Sequence, residues 1–197
     1  MQNNLDAIIM ISNEIRQLNE EKMASDELVD VVDANNNIVK TVTRKQMRQE
    51  QLPHRASYIA LCDRQNKFLV EIRTLCKDYS PGTFDAVVGG VMQHGEDEVE
   101  SAKRELFEEV GVDADSKNIE FHNLGTYKIE SNNGKHFFYA YLYLAKGDCL
   151  TVRQASEVSG VMFIDETEIF RLKDSTSYDS VVAFKEILQR ARDKKII

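Results

Sequence analysis

The chain has 197 residues, 42% hydrophobic and 29% charged, enough apolar side chain to build a core in one good-sized domain with an accessory segment. A formal net charge of −8 argues against a binder of nucleic acid polymers or anionic membranes, but it is compatible with a phosphate site screened by metal ions. Cys62, Cys76 and Cys149 are dispersed and form no CxxC pair, so they read as reduced thiols. The apolar run at 7–11 is too short to span a membrane and has no basic leader, and a cytoplasmic protein is expected.

Taken in chain order, residues 4–24 carry Ile8, Ile11, Ile15 and Leu18 at spacings of three and four, which predicts an amphipathic helix that docks on the domain or pairs two subunits into a homodimer. Two β-like runs, 28–32 and 38–42, flank Asn35-Asn36-Asn37 and predict a hairpin, after which Thr43 can cap a short helix to about Gln51. Strands follow at 58–62 and 68–72, and a short apolar run at 83–88 ends on Gly89-Gly90. The next segment, 97–110, is a strongly punctuated helix. Asp97 and Glu100 have capping-box spacing, Val99, Ala102, Leu106 and Val110 form the apolar stripe, and Gly111 stands where a left-handed C-terminal residue is wanted. Strands at 121–129, 137–144 and 161–164 and a helix at 179–192, with Val181, Phe184, Ile187 and Ala191 inward, complete an α/β (α+β) pattern: a mixed sheet between helices.

Chemistry concentrates on the 97–110 helix. Glu105, Glu108 and Glu109 stand at i, i+3 and i+4 and share one face. At about 6 Å and an effective dielectric near 20, each carboxylate pair repels by roughly 3 kcal/mol before screening. A hard divalent cation such as Mg²⁺ converts that repulsion into a binding site. Alone, the triplet reads equally as a solvated acidic face.

The longer pattern decides between these readings. Gly90, five residues, Glu96, seven residues, Arg104-Glu105-Leu106, one residue, Glu108-Glu109, one residue and Gly111-Val112 resemble the Nudix box at every defined position. The resemblance implies a Nudix-type α/β/α sandwich and a hydrolase that cleaves a pyrophosphate bond in a small organic diphosphate. Its cofactor would be Mg²⁺, with Mn²⁺ as a substitute. Glu105, Glu108 and Glu109 would be metal ligands, joined by the Gly89 carbonyl. Glu96 and Arg104 would pair to orient the glutamates, and Gly90 and Gly111 would shape the turn and the helix end. The general base is left open between Glu105 and Glu157, the latter in a loop before the 161–164 strand.

Further segments, at 27–33, 52–56 and 81–85, look like the isopentenyl-diphosphate isomerase-like branch of that superfamily, over roughly residues 27–190. Residues 1–26 would then be a helical extension and 27–197 the domain, with an isomerase-like hairpin and short helix at 27–55, a core at 56–197 and the box at 90–112. The isomerases need a cysteine and a histidine where this chain has Val88 and Gly90, and a further metal-binding histidine where it has Met47, so hydrolysis is expected rather than isomerisation. By the same resemblance Arg73 and Lys77 would clamp diphosphate oxygens. His54 reads more simply as a hydrogen-bonded structural histidine. Tyr127 is a candidate for stacking on a base, with a core or rim position as the plainer reading. A fold retained for ligand binding or regulation without catalysis is the alternative from another class, and the box is intact against it.

Overall fold

A computed structural model describes residues 25–77, 79–131 and 136–197. The helix expected over 4–24 and most of the 131–135 loop lie outside the described residues. The expected hairpin is present as β1 (Leu28–Val32) and β2 (Ile38–Thr43), paired antiparallel. Asp33 closes it by accepting the backbone N–H groups of Asn35 and Asn37 at 2.8 and 2.9 Å, an Asx arrangement that lets Asn36 take φ 64°. Thr43 Oγ1 then accepts the Gln46 N–H and starts α1 (Arg44–Gln49). This helix ends two residues before the expected Gln51, which has a left-handed φ of 52°. Val29, Val31, Val42 and Met47 form a small core of their own against Leu52 and Val91, fixing the hairpin and α1 beside the glycine turn.

The main sheet has six strands. β3 (Arg55–Cys62) lies at its centre, antiparallel to β4 (Phe68–Arg73) and parallel to β7 (Phe137–Lys146). β6 (Glu120–Glu130) pairs with β7, while the two-residue β5 (Phe84–Asp85) and β8 (Val158–Ile164) both pair with β4. The 83–88 run thus forms far less strand than its composition suggests, and β8 starts three residues earlier than expected.

Period-two alternation divides the interior into two layers. Ile59, Leu61, Leu69, Tyr143 and Ala145 face α2 (Glu98–Val110). Ala60, Cys62, Phe68, Val70, Leu142 and Leu144 face α4 (Tyr178–Asp193). The result is an α/β/α sandwich around a mixed sheet. Leu106 and Val110 are fully buried, worth about 2 kcal/mol each in apolar transfer. Asp97 caps α2 through the Val99 and Glu100 N–H groups, whereas Glu100 turns to Lys103 and leaves the capping box half made. Gly111 closes the helix at φ 71°. On α4 the buried positions are Ser180, Ala183, Phe184, Ile187, Leu188 and Ala191; the expected Val181 is one residue out of phase and only half-buried. A short α3 (Glu166–Arg171), absent from the sequence reading, caps the sheet edge with Ile169. Among the described residues no helix is long and apolar enough to cross a membrane.

Candidate active site

The glycine turn and the C-terminal half of α2 meet at Gly89. Its φ is 151°, and a Cβ there would lie 1.9 Å from the Ser57 carbonyl oxygen of β3, so only glycine lets the turn lie flat on the sheet. Flush against β3, the Gly89 N–H donates to Glu109 at 3.1 Å, and the Gly90 carbonyl accepts from Ser57 N–H at 2.9 Å. Ser57 and Ser101 link β3 to α2 through their hydroxyls at 3.0 Å. The box therefore acts as a clamp in which helix and turn hold one another.

Two cations divide the glutamates between them. Arg104 forms a two-pronged pair with Glu96 at 2.6 and 3.1 Å and extends its third nitrogen to Glu105 at 3.0 Å and Glu108 at 2.9 Å. Lys77 sits between Glu109, at 3.1 Å, and Glu157. The Glu157 loop is tied to the same segment by Thr74, whose N–H donates to the Glu157 carbonyl and whose hydroxyl donates to the Ser156 carbonyl. Arg73 pairs with Asp85 and donates to the Tyr79 and Ser80 carbonyls.

Burial sets the electrostatics. Glu105 and Glu109 are 8% and 2% exposed. Burial, reinforced by the Glu109 charge, pushes the Glu105 carboxyl up to about 8, with Arg104 opposing. Burial also raises Glu109, with Lys77 opposing and Glu157 adding to the rise. For Glu157 burial works in the same direction, but the Lys77 ammonium outweighs it and holds the carboxyl below its ordinary value. A further carboxylate, Glu71 in the middle of β4, is buried beside this group. Its Oε1 has no hydrogen-bond partner, and burial and the Glu109 charge raise it strongly. Its sequence signal was a lone acid inside an apolar strand.

These carboxylates share too little positive charge. Among the described residues, no three His, Cys, Asp or Glu side chains converge on one point; Arg104 pairs with Glu105 and Glu108, and Lys77 with Glu109 and Glu157. The donor set nonetheless fits a hard divalent cation: all-oxygen and mutually repelling, buried at Glu71, Glu105 and Glu109 and open to the cleft at Glu108 and Glu157, with a lysine ammonium seated between two of its members.

Beside them opens a cleft of about 1510 Å³. Gly89, Gly90, Glu108, Glu157, Arg73 and Lys77 all line it. Tyr127 does not. Its half-buried ring packs into the layer beneath α4 with the Arg190 guanidinium 5.8 Å from its centre, farther along β6 than the cleft-lining Ile129. Aromatic residues that do line the cleft include His54, Tyr58 and Phe138, with Tyr79 and Tyr178. Tyr58 and Phe138 gave little signal, since each sits in an ordinary strand-like stretch, whereas His54 stands out in the 52–56 segment.

A mixed sheet between two helices, with a glycine turn clamped to a glutamate-rich helix beside a cleft lined by both cations and carboxylates, defines an α/β/α sandwich of the Nudix type. The chain belongs to the Nudix family: the NUDIX domain profile matches residues 52–184. It is 35% identical over 173 residues to the uncharacterized Nudix hydrolase YfcD of Shigella flexneri, covering 88% of this chain and 93% of that protein. In three dimensions it resembles DR0079 of Deinococcus radiodurans, with a TM-score of 0.63 and 22% identity over 75% of this chain and 90% of that one. It also resembles the NUDIX domain of Shewanella oneidensis NrtR in complex with ADP ribose, with a TM-score of 0.57 and 15% identity over 76% and 99% of the two chains.

Proposed function

We propose that the chain is a Mg²⁺-dependent pyrophosphohydrolase, with Mn²⁺ as a substitute, acting on a nucleoside diphosphate linked to another group or a related organic diphosphate. The observation that carries this reading is the buried, undercompensated set of Glu105, Glu109 and Glu71 beside a cleft whose rim presents Arg73 and Lys77. Glu105, Glu108 and Glu109, with the Gly89 carbonyl, would hold the cation. When bound, it supplies neutralisation of the diphosphate and activation of the attacking water.

The remaining roles fall to the chain's own groups. Arg104, anchored by Glu96, is a positioning residue that fixes the direction of Glu105 and Glu108. Arg73 and Lys77 hold phosphate oxygens and lower the cost of bringing a polyanion to an acidic protein. Glu157 lines the cleft and stays ionised, which favours it over the more enclosed Glu105 as the group that takes the proton from water. A fold like this one holds ADP ribose in the NrtR complex, so a nucleoside diphosphate linked to a sugar is within its capacity.

We place the chain near the isomerase-like branch but not among the isomerases. Beyond the residues at 88 and 90, a Cβ on Gly90 would lie 2.6 Å from the Glu105 carboxylate, leaving no room for a histidine there while Glu105 keeps its place. The test is phosphate-product release from a panel of dinucleotides, nucleotide sugars, nucleoside triphosphates and prenyl diphosphates, with and without Mg²⁺. Mg²⁺-dependent turnover lost in Glu109→Gln supports the reading. Tight ligand binding without turnover would replace it with a sensor, and isopentenyl diphosphate rearranged with its diphosphate intact would replace it with an isomerase.

A further inference from the structure

The cleft is larger than a scissile diphosphate requires, and its second wall lies outside the box. That wall is α1, whose Arg44, Lys45 and Arg48 line the cleft together with Arg73 and Lys77. In a chain of net charge −8, this six-residue helix carries three cations and no acid. Arg44 and Arg48 stand at i and i+4 and share a face. Arg44 is braced by Glu27, whose carboxylate accepts its guanidinium at 3.0 Å and whose carbonyl accepts its N–H at 2.7 Å. Lys45 makes no ion pair among the described residues.

The same cleft is lined by a run of stacked rings. His54 stacks on Phe138 at 5.2 Å and 13°, and Tyr58 on Phe138 at 6.0 Å and 21°. The Tyr58 hydroxyl is committed to Asp179 at 2.6 Å. His54 Nδ1 lies 2.9 Å from the Leu52 carbonyl, which makes it the donor and leaves Nε2 as the acceptor in the neutral ring. Burial, helped by the charges of Arg48 and Arg44, keeps that ring neutral. Arg44 lines the same cleft as His54 and Glu157.

Resting on the hydrolase reading above, we infer that Arg44 and Arg48 of α1 form a second anion site, which selects substrates carrying a phosphomonoester in addition to the scissile diphosphate, with a planar base over His54, Tyr58 and Phe138. Guanidinium groups suit this task because their fork of donors matches phosphate oxygens, and a phosphomonoester offers three of them. The chain therefore distinguishes nucleotides that differ by one ribose phosphate. A Nudix domain without the hairpin and α1 lacks this wall.

The experiment compares matched pairs with Mg²⁺: coenzyme A against dephospho-coenzyme A, and NADPH against NADH, so that ribose 3′- and 2′-phosphates are read separately. The phosphorylated member of at least one pair is expected to show about tenfold higher kcat/KM, carried by KM. In Arg48→Gln that preference falls to near unity, and in Arg48→Lys it is retained in part. Equal kcat/KM within both pairs, or a preference that survives Arg48→Gln in a folded variant, overturns the inference. If no pair is hydrolysed, the hydrolase reading fails for these substrates, and calorimetry with adenosine 3′,5′-bisphosphate and adenosine 2′,5′-bisphosphate, each against AMP, decides the site itself. Tighter binding of either bisphosphate, lost in Arg48→Gln, supports it; equal binding of all three overturns it.

Discussion

Replacing Lys77 by methionine keeps the length of the side chain and removes the one cation seated between Glu109 and Glu157. At 3.1 Å and an effective dielectric near 20, the Lys77–Glu109 attraction is about 5 kcal/mol before desolvation is charged against it. The Lys77 side chain is 16% exposed and that of Glu109 3%, so most of the attraction escapes solvent screening. Breaking such a pair from one side leaves a buried carboxylate uncompensated, a loss of about 3 kcal/mol. The metal-free variant should therefore unfold at lower urea than the parent. A divalent cation competes with Lys77 for the same carboxylates, so the variant should bind Mn²⁺ about tenfold or more tightly, and saturating Mg²⁺ should restore most of the lost stability. Urea titrations with chelator and with Mg²⁺, paired with Mn²⁺ titration by electron paramagnetic resonance, read both quantities. A variant as stable as the parent without metal, or one that binds Mn²⁺ more weakly, would falsify the view of Lys77 as the resident counter-ion.

The raised Glu105 carboxyl makes stability depend on pH. A folded value near 8, against an ordinary 4.5, means the folded chain binds the extra proton, so metal-free stability should fall as pH rises from about 4.5 to 8 and level off above. Glu105→Gln should flatten that slope in chelator-treated urea titrations; an unchanged slope would assign it elsewhere. Glu109→Gln should lower Mg²⁺-dependent turnover by about two orders of magnitude or more, checked by product release on any substrate the panel identifies, and parental turnover would remove the metal-site argument. Gly89→Ala drives a Cβ to 1.9 Å from the Ser57 carbonyl at a φ few L residues adopt, and should cost about 3 kcal/mol or more in thermal unfolding. A variant that melts with the parent would show that the turn has room to move.

The α2 helix was legible to the residue because its cap, stripe and C-terminal glycine agree with one another, and the box rides on it. β3, β4, β6 and β7 were found but cut short at their ends, where polar residues such as Glu120 and Glu130 still pair through their backbones. The apolar run 83–88 forms only a two-residue strand, β5, and meets β3 again through a single bridge from Val88 to Ile59 just before the glycine turn. α3 was missed because six residues give too few turns for periodicity to register. At the site, the Glu96–Arg104 pairing followed from the box, whereas Glu71, Asp85 and Asp179 did not. Each becomes significant only when elements separate in sequence meet, as when Asp179 of α4 accepts from both Tyr58 and Tyr79. Tyr127 packs in the layer beneath α4, the core or rim position that was its plainer reading, and is not among the residues lining the cleft.

The alternation of β3 and β7 has a consequence for how the molecule tolerates change. Because odd and even positions of the same strands fill different layers, the sheet works as a bulkhead between two compartments, only one of which holds the box helix. Loosened packing around Phe184 or Ile187 should reach the cleft through Tyr58 and Phe138, which pack in that layer, while the same loss at Leu106 would tilt the glutamates. Drift in the first compartment then acts on the aromatic side of the cleft, and drift in the second on its carboxylates.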